Sequence, residues 1–483
     1  MTNYHYKNIA YLTLITLCVI QSAYLFKNLY QFSWENVDDL MTLTLINQEN
    51  LNDLIIALKS GLNLFPPLYF ISAYLFVEAF ELPKEILLWI HIPLLWISII
   101  LAYKLFRSFT NWQIASFSTI SIATLKSAFL TQSIYVRPYC LYYCASLATV
   151  LAAINFQKVP NKLNFVLYWI AFQVLTHTHY YGLPFGILVS LPLLFSDISN
   201  GKKSLALILT LIPTCFTYAY FLPNQLSYLF FAGTHGDNGL QAVVSYYRVL
   251  SFPALLVFGV FLFLSFFSKE KVFIKPNLPI SLLLLGASPM IIIALLTFSI
   301  GEGFHYRYFI PAQIGIVAFA IWFIFLIRPL TFSRKLTTSL FTLSSILIFA
   351  WSIRNFANKE QAFEKNYPGS MEFNHSKIED SRIPFFTSHL ETFLKIIHNP
   401  NWSIQSNLLR TDINDFNELP KFNKIFTPTS KNELVNLDQF IYHFYYSGEH
   451  SIIDFNPEQW ANENDYSISE LNHYPLVLHF TRN

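Results

Sequence analysis

The chain has 483 residues, of which 54% are hydrophobic, 18% aromatic and only 12% charged, roughly half the charged share of a soluble domain. That balance excludes an ordinary soluble protein and implies a polytopic membrane protein with some soluble mass attached. A net charge of +2 with no long basic run leaves no nucleic-acid footprint, and Cys18, Cys140, Cys144 and Cys215, all in apolar runs, give neither a disulfide framework nor a zinc spacing.

The first apolar stretch, from about Ile9 to Phe26, follows Lys7. It is long for a signal-peptide core and no small-x-small cleavage site stands out, so it is expected to persist as a first span. Next comes the polar stretch QFSWENVDDLMTL, with Glu35, Asp38 and Asp39. The run FPPLYFISAYLFVEAF after it has only about 16 residues and opens near Pro66 and Pro67. A helix needs about 20 apolar residues to cross the hydrocarbon core, so this one is expected to lie in or dip into the interface. Runs long enough to cross stand at approximately 9–29, 85–106, 113–133, 138–156, 163–180, 181–197, 204–222, 248–268, 278–300, 308–327 and 336–354, about eleven spans in all. The stretch 163–197 is one long run, divided here at THTHYYG.

With the N-terminus cytoplasmic, every inner connection is basic: Lys104 and Arg107; Lys158 and Lys162; Lys202 and Lys203; Lys269, Lys271 and Lys275; Arg328, Arg334 and Lys335. This satisfies the positive-inside rule. Counting the proline-rich run as a span would turn basic loops outward. The outer face then receives the 30–84 loop, the turns YVRPY and THTHYYG, the 223–247 loop, GEGFHYRY and everything after about residue 355. Residues 1–354 are therefore expected to form a transmembrane domain in the cytoplasmic (inner) membrane, and 355–483 an extracytoplasmic domain. The short apolar runs of that tail, RIPFFTS, FLKII, SNLL, FIYHFYY and YPLVLHF, read as strands around one or two helices, a small α/β domain.

The same topology gathers a set of polar residues at the outer leaflet: Glu35, Asp38 and Asp39; Arg137; His177 and His179; Arg248; Glu302, His305 and Arg307. Ionisable residues near span ends are functional candidates, although each alone also fits a solvated loop charge or a snorkelling side chain. A carboxylate there could take a proton from an acceptor hydroxyl or amine; adjacent acids also suit a helix start. Arg137 precedes Pro138, which suits the first turn of a helix. A cation at a helix N-terminus is disfavoured by the dipole, which suggests an anionic partner, and arginine binds phosphate through a fork of donors. His177 and His179 fit metal ligands, a phosphate clamp or hydrogen-bonded core groups.

In this order the motifs resemble the bacterial members of the dolichyl-phosphate-mannose protein mannosyltransferase superfamily, the group that includes the aminoarabinose transferase of lipid A. DDLMT stands where that family has Asp-Glu-Ala-Tyr, FPPLYF matches His-Pro-Pro-Leu-Tyr-Tyr, YVRPYCLYY matches an Arg-Pro-Tyr block and FHYRYFIPA a late Arg-Tyr-Leu-Pro block, over approximately residues 5–330. The resemblance implies a GT-C-type bundle and an inverting glycosyltransferase that moves a sugar from a polyprenyl-phosphate donor to a lipid, glycan or protein acceptor on the outer face. By that carry-over Asp38 is the general base, with Asp39 beside it where glutamate is usual. Glu35, Pro66, Pro67, Tyr69, Arg137, Tyr139, His177, His179, His305 and Arg307 become substrate-binding candidates. No cofactor is certain; related folds exist with and without a divalent metal, so metal dependence is open. Two other readings stand beside this one. A secondary transporter or flippase would place charges at the bilayer midplane, usually with an inverted repeat; no repeat is seen, and Lys126 is the one obvious intramembrane base. An O-antigen ligase or polymerase would carry its large outer loop between two late spans, whereas here the soluble mass is terminal.

Overall fold

The computed structural model describes residues 2–30, 37–60, 64–80, 87–125, 135–195, 200–232, 239–266, 278–300, 306–327, 334–357, 385–387, 406–410, 429–430, 434, 436–443, 457–472 and 477–483. The chain forms two compact units. One comprises Met1–Gln31, Phe65–Phe221 and Gly233–Lys359; the other comprises Phe32–Leu64, Leu222–Ala232 and Glu360–Asn483.

The first unit is helical. Its elements are α1 (Thr2–Tyr30), α4 (Leu68–Phe80), α5 (Leu87–Arg107), α6 (Trp112–Thr124), α7 (Tyr139–Lys158), α8 (Lys162–Thr178), α9 (Gly182–Leu194), most of α10 (Asn200–Ala232), α11 (Gly239–Leu250), α12 (Phe252–Phe266), α13 (Ile280–Ile300), α14 (Ala312–Ile327) and α15 (Arg334–Ala357), with a 3₁₀ turn at Tyr306–Phe309. Local chemistry sets several starts. Asn111 caps α6 by accepting from the Ile114 N–H at 3.1 Å, and Asn161 caps α8 by accepting from Asn164 at 2.8 Å. The buried hydroxyls of Ser116, Thr119, Ser121 and Thr124 donate to the carbonyls four residues back, so α6 buries them satisfied. Helices α13 and α14 meet through glycine: a Cβ on Gly315 would fall 2.2 Å from the Gly286 nitrogen and 2.4 Å from the Leu282 carbonyl oxygen. Such small-residue contacts let helix backbones approach closely in membranes. The outward faces carry Ile97, Ile100, Ile170, Ile212, Phe263 and Phe323, all exposed, a surface suited to lipid.

A helix stands at each place where a span was expected, but the lengths differ. Among the described residues three helices are long and apolar enough to cross a membrane, Trp89–Arg107, Tyr139–Lys158 and Ala206–Leu226. A fourth arises if Gln241–Leu250 and Phe252–Leu264, bent by 52°, count as one. The expected span 248–268 is thus broken near Ser251. Pro253 is the cause: it cannot donate into the helical ladder, and its ring clashes with the preceding turn. Arg248, expected near the outer end of a span, lies in the last turn of α11. The FPPLYF run becomes α4, 13 residues, about 20 Å long and short of the roughly 30 Å hydrocarbon core. Lys126 lies outside the described residues.

Ends of the unit-one helices sort by charge. Cys140, opening α7, lies with its sulfur 3.7 Å from the His91 carbonyl early in α5, and Cys144, one turn on, is hydrogen-bonded to Ser98, further along α5, so α5 and α7 run parallel. Lys104, Arg107 and Lys158 therefore share one end. Gln157 donates to the Pro192 carbonyl at 3.4 Å and Lys203 to the Leu194 carbonyl at 2.9 Å, which brings the last turn of α9 and the first turn of α10 to that end too.

In the second unit, α2 (Val37–Ile46) and α3 (Leu51–Ser60) form a short helical pair. Asn50 caps α3 through the Asp53 N–H at 3.0 Å, and Gln225 donates to the Leu58 carbonyl at 2.8 Å. The tail forms a six-stranded sheet in the order β3-β2-β1-β4-β6-β5. Its strands are β1 (Phe385–Thr387), β2 (Ser406–Arg410), β3 (Thr429–Ser430), β4 (Gln439–His443), β5 (Tyr466–Asn472) and β6 (Val477–Arg482). The first four are parallel, and β6 and β5 add antiparallel. Alternation puts Phe440, Tyr442, Leu478 and Phe480 on one face with Trp460 of α16 (Pro457–Asn464). Phe440 and Phe480 stack at 4.7 Å. The expected strands RIPFFTS, SNLL, FIYHFYY and YPLVLHF are all represented; FLKII lies outside the described residues. Strand β5 was not anticipated, because YSISELN carries too few apolar residues to stand out.

Candidate functional site

Opposite the basic end of the first unit, three separate turns meet. The first is FPPLYF. Pro66 holds Phe65 extended, and the Pro67 carbonyl accepts from Ile71 at 3.0 Å to open α4. Phe65, Pro66 and Pro67 are buried. Tyr69 is buried as well, its hydroxyl 3.2 Å from Nε2 of the fully buried His91.

The second turn is YVRPY. The Pro138 carbonyl accepts from Tyr142 at 2.8 Å, which starts α7 directly behind Arg137. Arg137 is only 5% exposed, and its guanidinium lies over the Phe65 ring, 5.2 Å from the centroid. Contact of this kind is favourable for a desolvated cation.

The third is the turn between α8 and α9. His179 leaves α8 extended, at φ −150° and ψ 137°, and the Gly182 N–H returns to its carbonyl at 2.7 Å. Gly182 is required there, since a Cβ would fall 2.3 Å from the Leu175 carbonyl oxygen. His179 is 3% exposed and boxed by rings: Tyr142 at 4.6 Å, Phe65 at 5.0 Å, Tyr308 at 5.1 Å, Tyr181 at 5.6 Å and Tyr139 at 5.9 Å between centroids. Its Nδ1 accepts from the Tyr181 backbone N–H at 3.1 Å, so the neutral ring carries its proton on Nε2. That Nε2 is buried and has no hydrogen-bond partner among the described residues, a state that costs about 1–3 kcal/mol. Burial first, then the Arg307 and Arg137 guanidiniums, push the imidazole down to about 3.

The 3₁₀ turn Tyr306–Phe309 closes the box. The Arg307 guanidinium lies 5.5 Å from the Tyr139 centroid and 5.6 Å from that of Tyr308. The Tyr142 hydroxyl donates to the Tyr308 carbonyl at 3.0 Å, and the Tyr181 and Tyr308 rings stack at 4.9 Å. Two guanidiniums and one imidazole N–H are thus gathered on aromatic walls. Chemically, the set suits an oxyanion: arginine forks bind phosphate or carboxylate, and apolar surroundings strengthen each contact.

The structure therefore brings together Pro66, Pro67, Tyr69, Arg137, Tyr139, His179 and Arg307. It sends His177 elsewhere. That ring lies 2.8 Å from the Gln173 carbonyl through Nδ1 and 2.8 Å from Thr217 Oγ1 through Nε2. Thr176 meets Thr214 at 3.0 Å beside it, and the Tyr218 hydroxyl donates to the Thr176 carbonyl at 3.0 Å. This network fastens the turn carrying His179 to α10. Asp38 and Asp39 fall in the first turn of α2, in the second unit; their side chains, like all of Glu35 and His305, lie outside the described residues. No group of three or more His, Cys, Asp or Glu residues able to hold a metal occurs among the described residues. Sequence reasoning missed Phe65, His91, Tyr142, Tyr181 and Tyr308 as site-lining residues. All but His91 sit within the motifs already singled out, yet of the aromatic residues in them only Tyr69 and Tyr139 were followed.

No family model matches the chain, and no curated protein matches it in sequence. Solved structures do. The crystal structure of ArnT from Cupriavidus metallidurans bound to undecaprenyl phosphate superimposes with a TM-score of 0.59 at 10% identity, covering 96% of this chain and 97% of that one. Its apo state gives 0.57 at 11% identity, covering 92% of each. The apo oligosaccharyltransferase of Archaeoglobus fulgidus gives 0.47 at 11%, covering 82% of this chain and 64% of that one. The chain thus shares the fold of ArnT, an aminoarabinose transferase of the GT-C type, as the sequence motifs led one to expect. With its apolar helices, it is an integral membrane protein.

Proposed function

We propose that the protein is a membrane glycosyltransferase that takes a sugar from a polyprenyl-phosphate carrier and passes it to an acceptor on the outer face of the cytoplasmic membrane. The observation that carries this reading is the coincidence of two things. Nearly the whole chain follows the fold of a protein crystallised with undecaprenyl phosphate, and that fold brings Arg137, Arg307 and His179 into one aromatic-walled cluster. The basic helix ends lie at the other end of the unit, which supports placing the cluster at the outer leaflet.

In this reading the anomeric carbon sits between the carrier phosphate and the incoming acceptor. The acceptor's O–H or N–H gives its proton to Asp38 while its oxygen or nitrogen bonds to the anomeric carbon. The bond from that carbon to the phosphate oxygen breaks, and the anomeric centre inverts. Charge grows on the leaving phosphate, where Arg137 and Arg307 stabilise it. Asp39 and Glu35 support Asp38, and Pro66, Pro67, Tyr69, Tyr139 and His305 shape the site. His177 serves it from behind, through the α8–α10 network.

The test offers undecaprenyl-phosphate sugars to the protein in proteoliposomes and follows donor consumption by mass spectrometry. Wild type should release undecaprenyl phosphate from at least one of them. Asp38→Asn should bind the lipid and lose transfer by about a hundredfold or more, in the range of a general-base deletion. Full transfer by Asp38→Asn would overturn the base assignment, and no use of any polyprenyl-phosphate sugar would overturn the class.

A further inference from the structure

We infer that His179 acts in this site as an uncharged donor, its Nε2–H taking a phosphoryl oxygen of the lipid phosphate while Arg137 and Arg307 carry the positive charge. The inference rests on the lipid-phosphate reading above and goes beyond it by dividing direction from charge between different residues.

Three observations support it. The tautomer is set by the backbone, because the Tyr181 N–H occupies Nδ1 and leaves the proton on Nε2. The ring is held in place by Phe65, Tyr139, Tyr142, Tyr181 and Tyr308. And Nε2 is buried with no hydrogen-bond partner among the described residues, where buried donors are otherwise almost always paired. A donor of set tautomer, in the field of two guanidiniums and without an acceptor among the described residues, is a place prepared for a ligand oxygen.

The charge state follows from what faces the ring. Tyr139 and Tyr142 come from α7, Tyr181 from the histidine's own turn, Arg137 from the turn before α7, and Arg307 and Tyr308 from the 3₁₀ turn. Guanidiniums disfavour a second proton on the imidazole, and so does burial. Nε2 is closed to water as the box stands. Tyr181 and Tyr308 are the half-buried walls of the box, and Tyr308 adjoins Arg307.

The experiment uses the full chain in lipid nanodiscs with undecaprenyl phosphate as the probe. His179→Phe keeps an aromatic ring in the box and removes the donor; affinity should fall by about ten- to a hundredfold. His179→Gln restores an N–H and should recover most of that loss. The ratio of wild-type to His179→Gln affinity should stay constant from about pH 5.5 to 7.5, below and above the ordinary histidine range. Wild-type affinity in His179→Phe, or a wild-type advantage over His179→Gln that grows as pH falls, would overturn the inference. Should the variants fail to fold, ¹⁵N-histidine spectra of the wild type decide. They should contain a neutral Nε2–H ring at about pH 5.5 whose signal moves when undecaprenyl phosphate is added. Finding no such ring, or no movement, contradicts the inference. If the wild type binds no undecaprenyl phosphate, the lipid-phosphate reading itself fails, and this inference with it.

Discussion

His179 shows what a single residue can reveal. Its imidazole is held down to about 3 by burial and by the two neighbouring guanidiniums, against an ordinary value near 6.5. Its folded-state pKa thus lies below its unfolded one. Above about pH 6.5 the ring is neutral in both states and adds no pH dependence. Between there and about pH 3 the unfolded chain takes up a proton that the folded protein refuses, so stability drains away as pH falls. Thermal denaturation in detergent from pH 7 to pH 4 should therefore show a steeper loss for wild type than for His179→Phe. Parallel curves would mean the ring charges freely and the box is open. Arg137, His179 and Arg307 were legible in the sequence because charge is scarce in this chain, so each stands out from an apolar background. Of the walls of the box only Tyr139 was singled out, and that through the family resemblance. With 28 tyrosines and 48 phenylalanines, one more aromatic carries no signal. Which rings face His179 depends on four turns, remote in sequence from Phe65 to Tyr308, meeting in space.

At the scale of elements, proline and glycine account for much of what was and was not foreseen. Pro66 and Pro67 marked the start of a short helix, and α4, with 13 residues, begins directly after them. Pro253 gave an equally plain sign of the break at Ser251, which hydropathy alone smoothed over. The α13–α14 contact was invisible, because a glycine's value there lies in a partner backbone remote in sequence. Gly315→Ala should cost about 1–3 kcal/mol or more, since the added methyl meets backbone at 2.2 Å and 2.4 Å and cannot displace it with a rotamer change. Gly259→Ala in α12 has nothing within 4 Å of the new Cβ and should be neutral or slightly stabilising. Thermal-shift measurements on the two variants check this; equal effects would show that the α13–α14 contact is looser than described.

For the molecule as a whole, apolar content and the placement of lysine and arginine carried most of the fold, because the bilayer leaves few ways to satisfy a backbone. The helical membrane unit, the sheet in the tail and the ArnT-like fold were all legible. The pairing of Phe32–Leu64 and Leu222–Ala232 with the tail in one compact unit was not, since it depends on long-range contacts that leave no local pattern. The role proposed for Asp38 rests on family resemblance alone: a carboxylate in a helix's first turn is ordinary until something reactive is placed beside it. In the function proposed above, the aromatic-walled cluster, and not the basic end of the same unit, holds a polyprenyl phosphate. The most direct test is equilibrium binding of undecaprenyl phosphate in nanodiscs, comparing Arg137→Ala/Arg307→Ala with Lys158→Ala/Lys162→Ala. The arginine pair should lose at least about tenfold, as expected for removing charge-assisted bonds, and the lysine pair should keep wild-type affinity. Equal affinity in the two, or a loss confined to the lysine pair, would contradict that reading.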